Sequence, residues 1–142
     1  KAHFFHSDAE QPEELKAALQ KVANAFWDVS RDCFGQPLDH IEPIQYASYT
    51  GPYGHYAWHY DVGTEGNHRV VSASVELSDA ASYLGGGLEI KKLPAAQKPK
   101  QGTMTTFPSL MLHRAKPVWW GTRHALVLWG LVQEPANVAR GT

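Results

Sequence analysis

From Pro12 to Val29 apolar side chains return every three or four positions, at Leu15, Ala18, Leu19, Val22 and Phe26. That period predicts an amphipathic helix over 12–29 with one face against a core. Ser7 with Glu10, or Pro12 in the first turn, supplies a start signal. Gly35 and Pro37 in "CFGQPLDH" (33–40) interrupt the pattern and predict a loop. Beyond it the period falls to two. "EPIQYASY" (42–49), "HRVVSASVEL" (68–77), "LEIKK" (88–92), "GTMTTF" (102–107) and "RHALVLWGLV" (123–132) read as strands between turns rich in Gly and Pro. One helix followed by six or more strands predicts a mainly β domain, a sandwich or barrel with the helix packed on one face. Periodicity does not separate the members of that class. The double-stranded β-helix, a jelly roll, is the expectation.

Composition narrows the partners more than the fold. With 142 residues, 43% hydrophobic and 19% charged, the chain is expected to form one domain over 1–142 with its own core. It contains no 18-residue apolar run, so no transmembrane helix is expected, and no signal peptide is visible. The first residue is Lys1 rather than Met, which leaves room for residues upstream. A net charge of −1 gives no general attraction to nucleic acid or to an anionic membrane, and neither is expected as a partner. The lone Cys33 excludes an intramolecular disulfide and suits a reducing, cytoplasmic setting; it is expected to be a small buried hydrophobe. The glycines 85–87 are followed by a strand rather than a helix, so they read as a turn or bulge and not as a phosphate cradle. "KKLPAAQKPK" (91–100) reads as a solvated loop.

The densest chemistry lies in "GHYAWHYD" (54–61). On a strand, positions i and i+2 share a face, so His59 and Asp61 can aim an imidazole and a carboxylate at one point. A metal site needs a third ligand. His40, His55, His68 and His124 fall in loops or on strand edges, where solvated or satisfied imidazoles are the ordinary outcome. His113 stands between an apolar strand end and "KPVWWGTR", and with His59 and Asp61 it would complete two imidazoles and one carboxylate. Such a facial triad suits iron(II) and leaves three coordination positions open. Arg123, ten residues further on, is either an edge charge or a buried receptor for a small carboxylate, and spacing alone leaves both open.

The ordered set "YTGPYGHYAWHYD", "HRVVSASVELS", "YLGGGLEI", "GTMTTFPS", "LHRAKPV" and "GTRHALVLW" resembles the prolyl-hydroxylase-type (PKHD-type) branch of the iron(II)/2-oxoglutarate-dependent dioxygenases. The likeness runs from about residue 44 to 130. It implies iron ligands His59, Asp61 and His113, and an Arg123 that pairs with the C5 carboxylate of 2-oxoglutarate. Tyr49 and Tyr56 match family tyrosines that line the cosubstrate or substrate pocket, with half-buried strand packing as the alternative. Arg69 matches an arginine that often faces substrate. Trp58 is expected at the substrate side, and Trp58, Trp119 and Trp120 as a wall against water, although strand packing suits at least one of them. Two family features are missing. Ala125 stands where a serine often binds the C5 carboxylate, and no tyrosine occurs at Val75 or Glu76, which leaves Ser72 or Ser74 as substitutes.

The implied activity couples decarboxylation of 2-oxoglutarate, to succinate and carbon dioxide, with hydroxylation of an unactivated C–H by dioxygen. The protein's part is positioning, with no catalytic residue beyond the metal centre. A prolyl residue of a peptide or protein is the expected substrate, and ascorbate a possible auxiliary. The alternatives are a hydroxylase of a free amino acid or other small molecule, a jelly roll that binds metal or ligand without turnover, and a zinc hydrolase. The last needs a positioned general base, and none is evident.

Overall fold

The organising element is β9 (His113–Gln133), a strand of 21 residues. Straight, it would reach roughly 70 Å. It turns instead at Gly121, whose φ of +76° belongs to the left-handed region that glycine enters without penalty. The computed structural model describes residues 2–5, 10–63, 67–94 and 97–133. Before the turn, β9 pairs antiparallel with β4 (Gly54–His59) on one side and with β6 (Tyr83–Gly85) and β7 (Leu88–Ile90) on the other. After it, β9 lies between β3 (Ile44–Thr50) and β5 (Asn67–Glu76), and β2 (His40–Ile41) joins near its end. β1 (Ala2–Phe5) extends this second sheet beyond β3, and β8 (Met104–Pro108) extends it beyond β5. Two sheets that share one bent strand curl into the expected jelly roll.

The helix α1 (Glu13–Phe34) covers one face of the larger sheet. Phe26, fully buried, packs with Val71, Ala73 and Val75 of β5 and with Leu126 and Leu128 of β9; Leu19, Val22 and Ala23 flank it. This is the stripe that the three- and four-residue period marks. Pro12 precedes the first turn, where its carbonyl accepts from the Lys16 N–H at 3.0 Å. Ser7 lies outside the described residues. The helix runs past the expected end at residue 29 and stops only at Gly35, which is left-handed at φ +59° and returns its N–H to the Ser30 carbonyl. Cys33 therefore sits on the last helical turn. It is exposed, contrary to the expectation of burial.

Glycines 85–87 all have positive φ and form the bulged turn between β6 and β7, as expected. A Cβ on Gly85 would stand 2.6 Å from the Pro117 carbonyl oxygen, so the turn packs its backbone directly on β9. The strand expected over 88–92 ends at Ile90 because Lys92 takes a positive φ of 69°. The basic segment is not wholly solvated: Lys98 donates to the carbonyl oxygens of Tyr83 and Ala80, and lies 3.9 Å from the centre of the Tyr83 ring. No helix among the described residues is long and apolar enough to cross a membrane.

Candidate metal and cosubstrate centre

Strand alternation sorts each side chain to one of two faces. Along β9, Leu126 and Leu128 face α1, while Arg123, Ala125, Val127 and Trp129 line a cavity inside the roll. Along β5, Val71, Ala73 and Val75 belong to the core under α1, the intervening Ser72 and Glu76 make the polar contacts described below, and Ser74 lines the cavity. The cavity holds about 320 Å³, within the roughly 300–1,000 Å³ usual for small-molecule sites.

His59 at the end of β4, Asp61 just after it and His113 at the start of β9 meet in this cavity, because His59 and His113 are register partners across β4 and β9. Their ligand atoms lie within 4.8 Å of one another. Asp61 Oδ1 stands 3.4 Å from His59 Nε2 and 3.3 Å from His113 Nε2. Each imidazole is oriented from behind. His59 Nδ1 bonds the Ala57 carbonyl at 2.7 Å, and His113 Nδ1 bonds the Met111 carbonyl at 2.8 Å. A carbonyl can only accept, so Nδ1 carries the proton and Nε2 offers its lone pair to the shared point. The other oxygen of Asp61, Oδ2, accepts from the Ser72 hydroxyl at 2.5 Å, and Ser72 is bonded in turn to Ser109 at 2.9 Å.

The protonation preferences follow from these contacts. Burial lowers the His59 pKa below its ordinary value, which favours neutral imidazole; the Ala57 carbonyl opposes this only in part. Burial also works against a charge on His113, but its bonds to Asp61 and the Met111 carbonyl outweigh it and raise the pKa. Burial works to raise the Asp61 pKa, yet the favourable interactions of its anion with His113 in the imidazolium form and with the Ser72 hydroxyl prevail and hold it below the usual carboxylate range. An anionic oxygen and two oriented imidazole nitrogens, without a thiolate, are the donor set of a facial iron(II) site. The residues present fit the metal.

Arg123 lines the same cavity and is buried, at 3% exposure. Its Nε donates to Glu76 Oε2 at 3.0 Å, and its guanidinium lies 5.7 Å from the Tyr49 ring centre. Burial raises the Tyr49 pKa, so its phenol stays a proton donor. Of the two readings open for Arg123, the exposed edge charge is thereby excluded. Tyr49 and Tyr56 both line the cavity, and the Tyr56 ring meets His59 edge-on at 4.0 Å between centroids. Of the two serines, Ser74 lines the cavity, whereas Ser72 serves Asp61. Arg69 also lines it, with its guanidinium 3.9 Å above the Trp129 ring and paired with Glu42 through Nε at 2.5 Å and a terminal nitrogen at 3.1 Å.

The tryptophans depart from expectation. Trp58, Trp119 and Trp120 do not line the cavity, and the last two are 55% and 61% exposed. Trp119 meets Tyr53 edge-on at 5.2 Å, and Trp58 carries the Arg114 guanidinium 4.8 Å from its ring. Two of the remaining histidines are satisfied elsewhere: His124 Nδ1 is 2.5 Å from the Tyr46 hydroxyl, and His55 bonds the Tyr53 carbonyl. Two contributors had no motif to mark them, Ser109 behind Ser72 and Glu76 behind Arg123. The shared parity of Ser72, Ser74 and Glu76 on β5 is the one signal that could have found the second.

Comparison with known proteins agrees with this geometry. The family model of the 2OG-Fe(II) oxygenase superfamily matches residues 44–130. A PKHD-type hydroxylase of Crocosphaera subtropica is 34% identical over 106 residues, covering 69% of this chain and 47% of that protein. One from Teredinibacter turnerae is 44% identical over 61 residues, covering 42% of this chain and 27% of that protein. The chain thus spans about half the length, or less, of these curated relatives. Among solved structures, the viral collagen prolyl hydroxylase of Paramecium Bursaria Chlorella virus-1, in its 2OG complex, has a similar fold. Its TM-score is 0.70 at 22% identity, over 94% of this chain and 80% of that one. A Pseudomonas putida prolyl-4-hydroxylase also scores 0.70, at 19% identity, over 95% and 72%. The matched family span contains His59, Asp61, His113 and Arg123, and the chain belongs to the 2OG-Fe(II) oxygenase superfamily.

Proposed function

We propose that this chain, as a single oxygenase domain over 1–142, is an iron(II)- and 2-oxoglutarate-dependent hydroxylase acting on a prolyl residue of a peptide or protein. The observation that carries the reading is one cavity that holds both a His59/Asp61/His113 donor set and a buried guanidinium, Arg123. The relatives named PKHD-type hydroxylases support the reaction class. Prolyl hydroxylases of similar fold, one of them in complex with a peptide fragment, support the substrate class.

When bound, iron and 2-oxoglutarate supply oxidative chemistry that consumes dioxygen, releases succinate and carbon dioxide and hydroxylates a C–H bond. The chain's residues bind and orient. His59, Asp61 and His113 hold the metal; Ser72 and the backbone carbonyls of Ala57 and Met111 fix those ligands. Arg123 takes the distal carboxylate of 2-oxoglutarate through its remaining N–H groups, and Tyr49 and Ser74 offer hydroxyl donors in the same wall in place of the missing serine and tyrosine. Arg69, Tyr56 and, outside the cavity, Trp58 form the substrate side. Ascorbate enters as the reductant that maintains iron(II), and the cytoplasm is the proposed setting.

The test incubates iron-loaded protein with 2-oxoglutarate, dioxygen and either proline-containing peptides or free proline. A gain of one oxygen on a peptidyl proline, matched by succinate, is expected. Oxygen on free proline alone transfers the assignment to small molecules. No decarboxylation under any condition overturns the enzyme reading in favour of a binding module.

A further inference from the structure

Glu76 is a buried acid with one job half done. It is 1% exposed, and its Oε2 accepts from Arg123 Nε at 3.0 Å and from the hydroxyl of the fully buried Tyr83 at 3.4 Å. Its other oxygen, Oε1, is buried and has no hydrogen-bond partner among the described residues. A carboxylate kept only for stability would have both oxygens satisfied, since burying an ion is offset only when its pairing is complete. The contact with Arg123 is also end-on, through Nε, rather than the two-bond fork that gives an arginine–carboxylate pair most of its strength. Arg123 forms part of the cavity wall, and Glu76 stands behind it.

We infer that Glu76 is a positioning residue that sets the affinity of this cavity for a dicarboxylate. This rests on the reading in which Arg123 takes the distal carboxylate of 2-oxoglutarate. Two effects act in opposite directions. By holding Nε, Glu76 fixes the plane of the guanidinium and so the direction in which its terminal nitrogens point. By neutralising the guanidinium, it removes much of the attraction that an incoming carboxylate would feel, and adds a like charge on the far side. In a buried site that repulsion is weakly screened, so its effect on binding reaches tenfold or more. The geometric effect raises affinity and the charge effect lowers it, and substitution separates them.

The test is calorimetric titration of 2-oxoglutarate into manganese(II)-loaded protein, without turnover. Glu76→Gln keeps an amide oxygen to accept from Nε and removes the charge; its Kd is expected to fall about tenfold. Glu76→Asp keeps the charge and draws the carboxylate back by one methylene, losing the Nε contact; its Kd is expected to rise about tenfold. Binding of 2-oxopentanoate, which has the same keto acid but no distal carboxylate, is expected to stay within twofold in both variants. A purely structural Glu76 would shift melting temperature and move both ligands alike. Equal 2-oxoglutarate affinity in wild type and both variants overturns the inference, as does weaker binding by Glu76→Gln. If Glu76→Gln does not fold, Glu76→Asp decides alone: unchanged affinity overturns, and selective weakening toward 2-oxoglutarate supports. Wild-type protein that binds manganese(II) but no 2-oxoglutarate refutes the proposed function itself, an outcome distinct from failure of the variants.

Discussion

Replacing Ser72 with alanine removes one hydroxyl and tests whether the site is held from behind. Ser72 is fully buried, donates to Asp61 Oδ2 at 2.5 Å and shares a 2.9 Å bond with Ser109, which is itself fully buried. In Ser72→Ala the carboxylate oxygen loses this donor and the Ser109 hydroxyl loses its partner. Leaving a buried polar group unsatisfied costs about 1–3 kcal/mol, which appears as reduced stability of the metal-free protein. The same hydroxyl holds the rotation of the carboxylate that keeps Oδ1 3.4 and 3.3 Å from the two imidazoles. Partners behind metal ligands are worth about 10–100-fold in metal affinity. Competition for manganese(II) against a chromophoric chelator is therefore expected to show a loss of that size.

Ser78→Ala supplies the control. Its buried hydroxyl accepts from the His124 backbone N–H at 2.7 Å, away from the triad. It is expected to cost about 1 kcal/mol in urea denaturation with manganese affinity unchanged. If Ser72→Ala loses comparable stability yet binds manganese within twofold of wild type, the hydroxyl is packing and the positioning role is refuted.

Other consequences follow from single contacts. Arg123→Lys keeps a cation beside Glu76 but loses the planar fork, so 2-oxoglutarate affinity is expected to drop tenfold or more by calorimetry; unchanged affinity would remove Arg123 from the cosubstrate site. Phe26→Ala empties the centre of the core under α1 and is expected to cost about 3–5 kcal/mol in chemical denaturation. Gly121→Ala drives a Cβ into the Ser82 carbonyl oxygen at a positive φ, and is expected to cost more than about 2 kcal/mol or to prevent folding. An unchanged urea midpoint would mean that β9 does not turn there.

The triad was legible because metal chemistry restricts residue type and a strand's period of two restricts direction. His59 and Asp61 needed only the period, but His113 needed the resemblance, and the structure seats it opposite His59 in the β4–β9 register. Five strands were legible from alternation, whereas β6 is three residues long and gives no period to read. The continuity of β9 was hidden because Pro117 and Gly121 look like breakers; Pro117 is accommodated in the strand, and Gly121 forms its bend. The helix end was misjudged by five residues because the apolar stripe stops before the chain reaches a residue able to leave the helix. Glu76 could be seen as the place of a missing tyrosine but not as the partner of Arg123, 47 residues away, since pairing across strands depends on a register that local sequence does not encode. The expected wall of tryptophans is not part of the cavity lining for a related reason: aromatic richness near a ligand does not say which face of the strand a ring occupies.

The most direct test of the central claim, that one cavity holds iron and 2-oxoglutarate together, is anaerobic absorption spectroscopy. Iron(II) is added to the metal-free protein, followed by 2-oxoglutarate. The account predicts a visible charge-transfer band that requires both additions and is lost in His113→Ala. Bound iron with no band on addition of 2-oxoglutarate would contradict it.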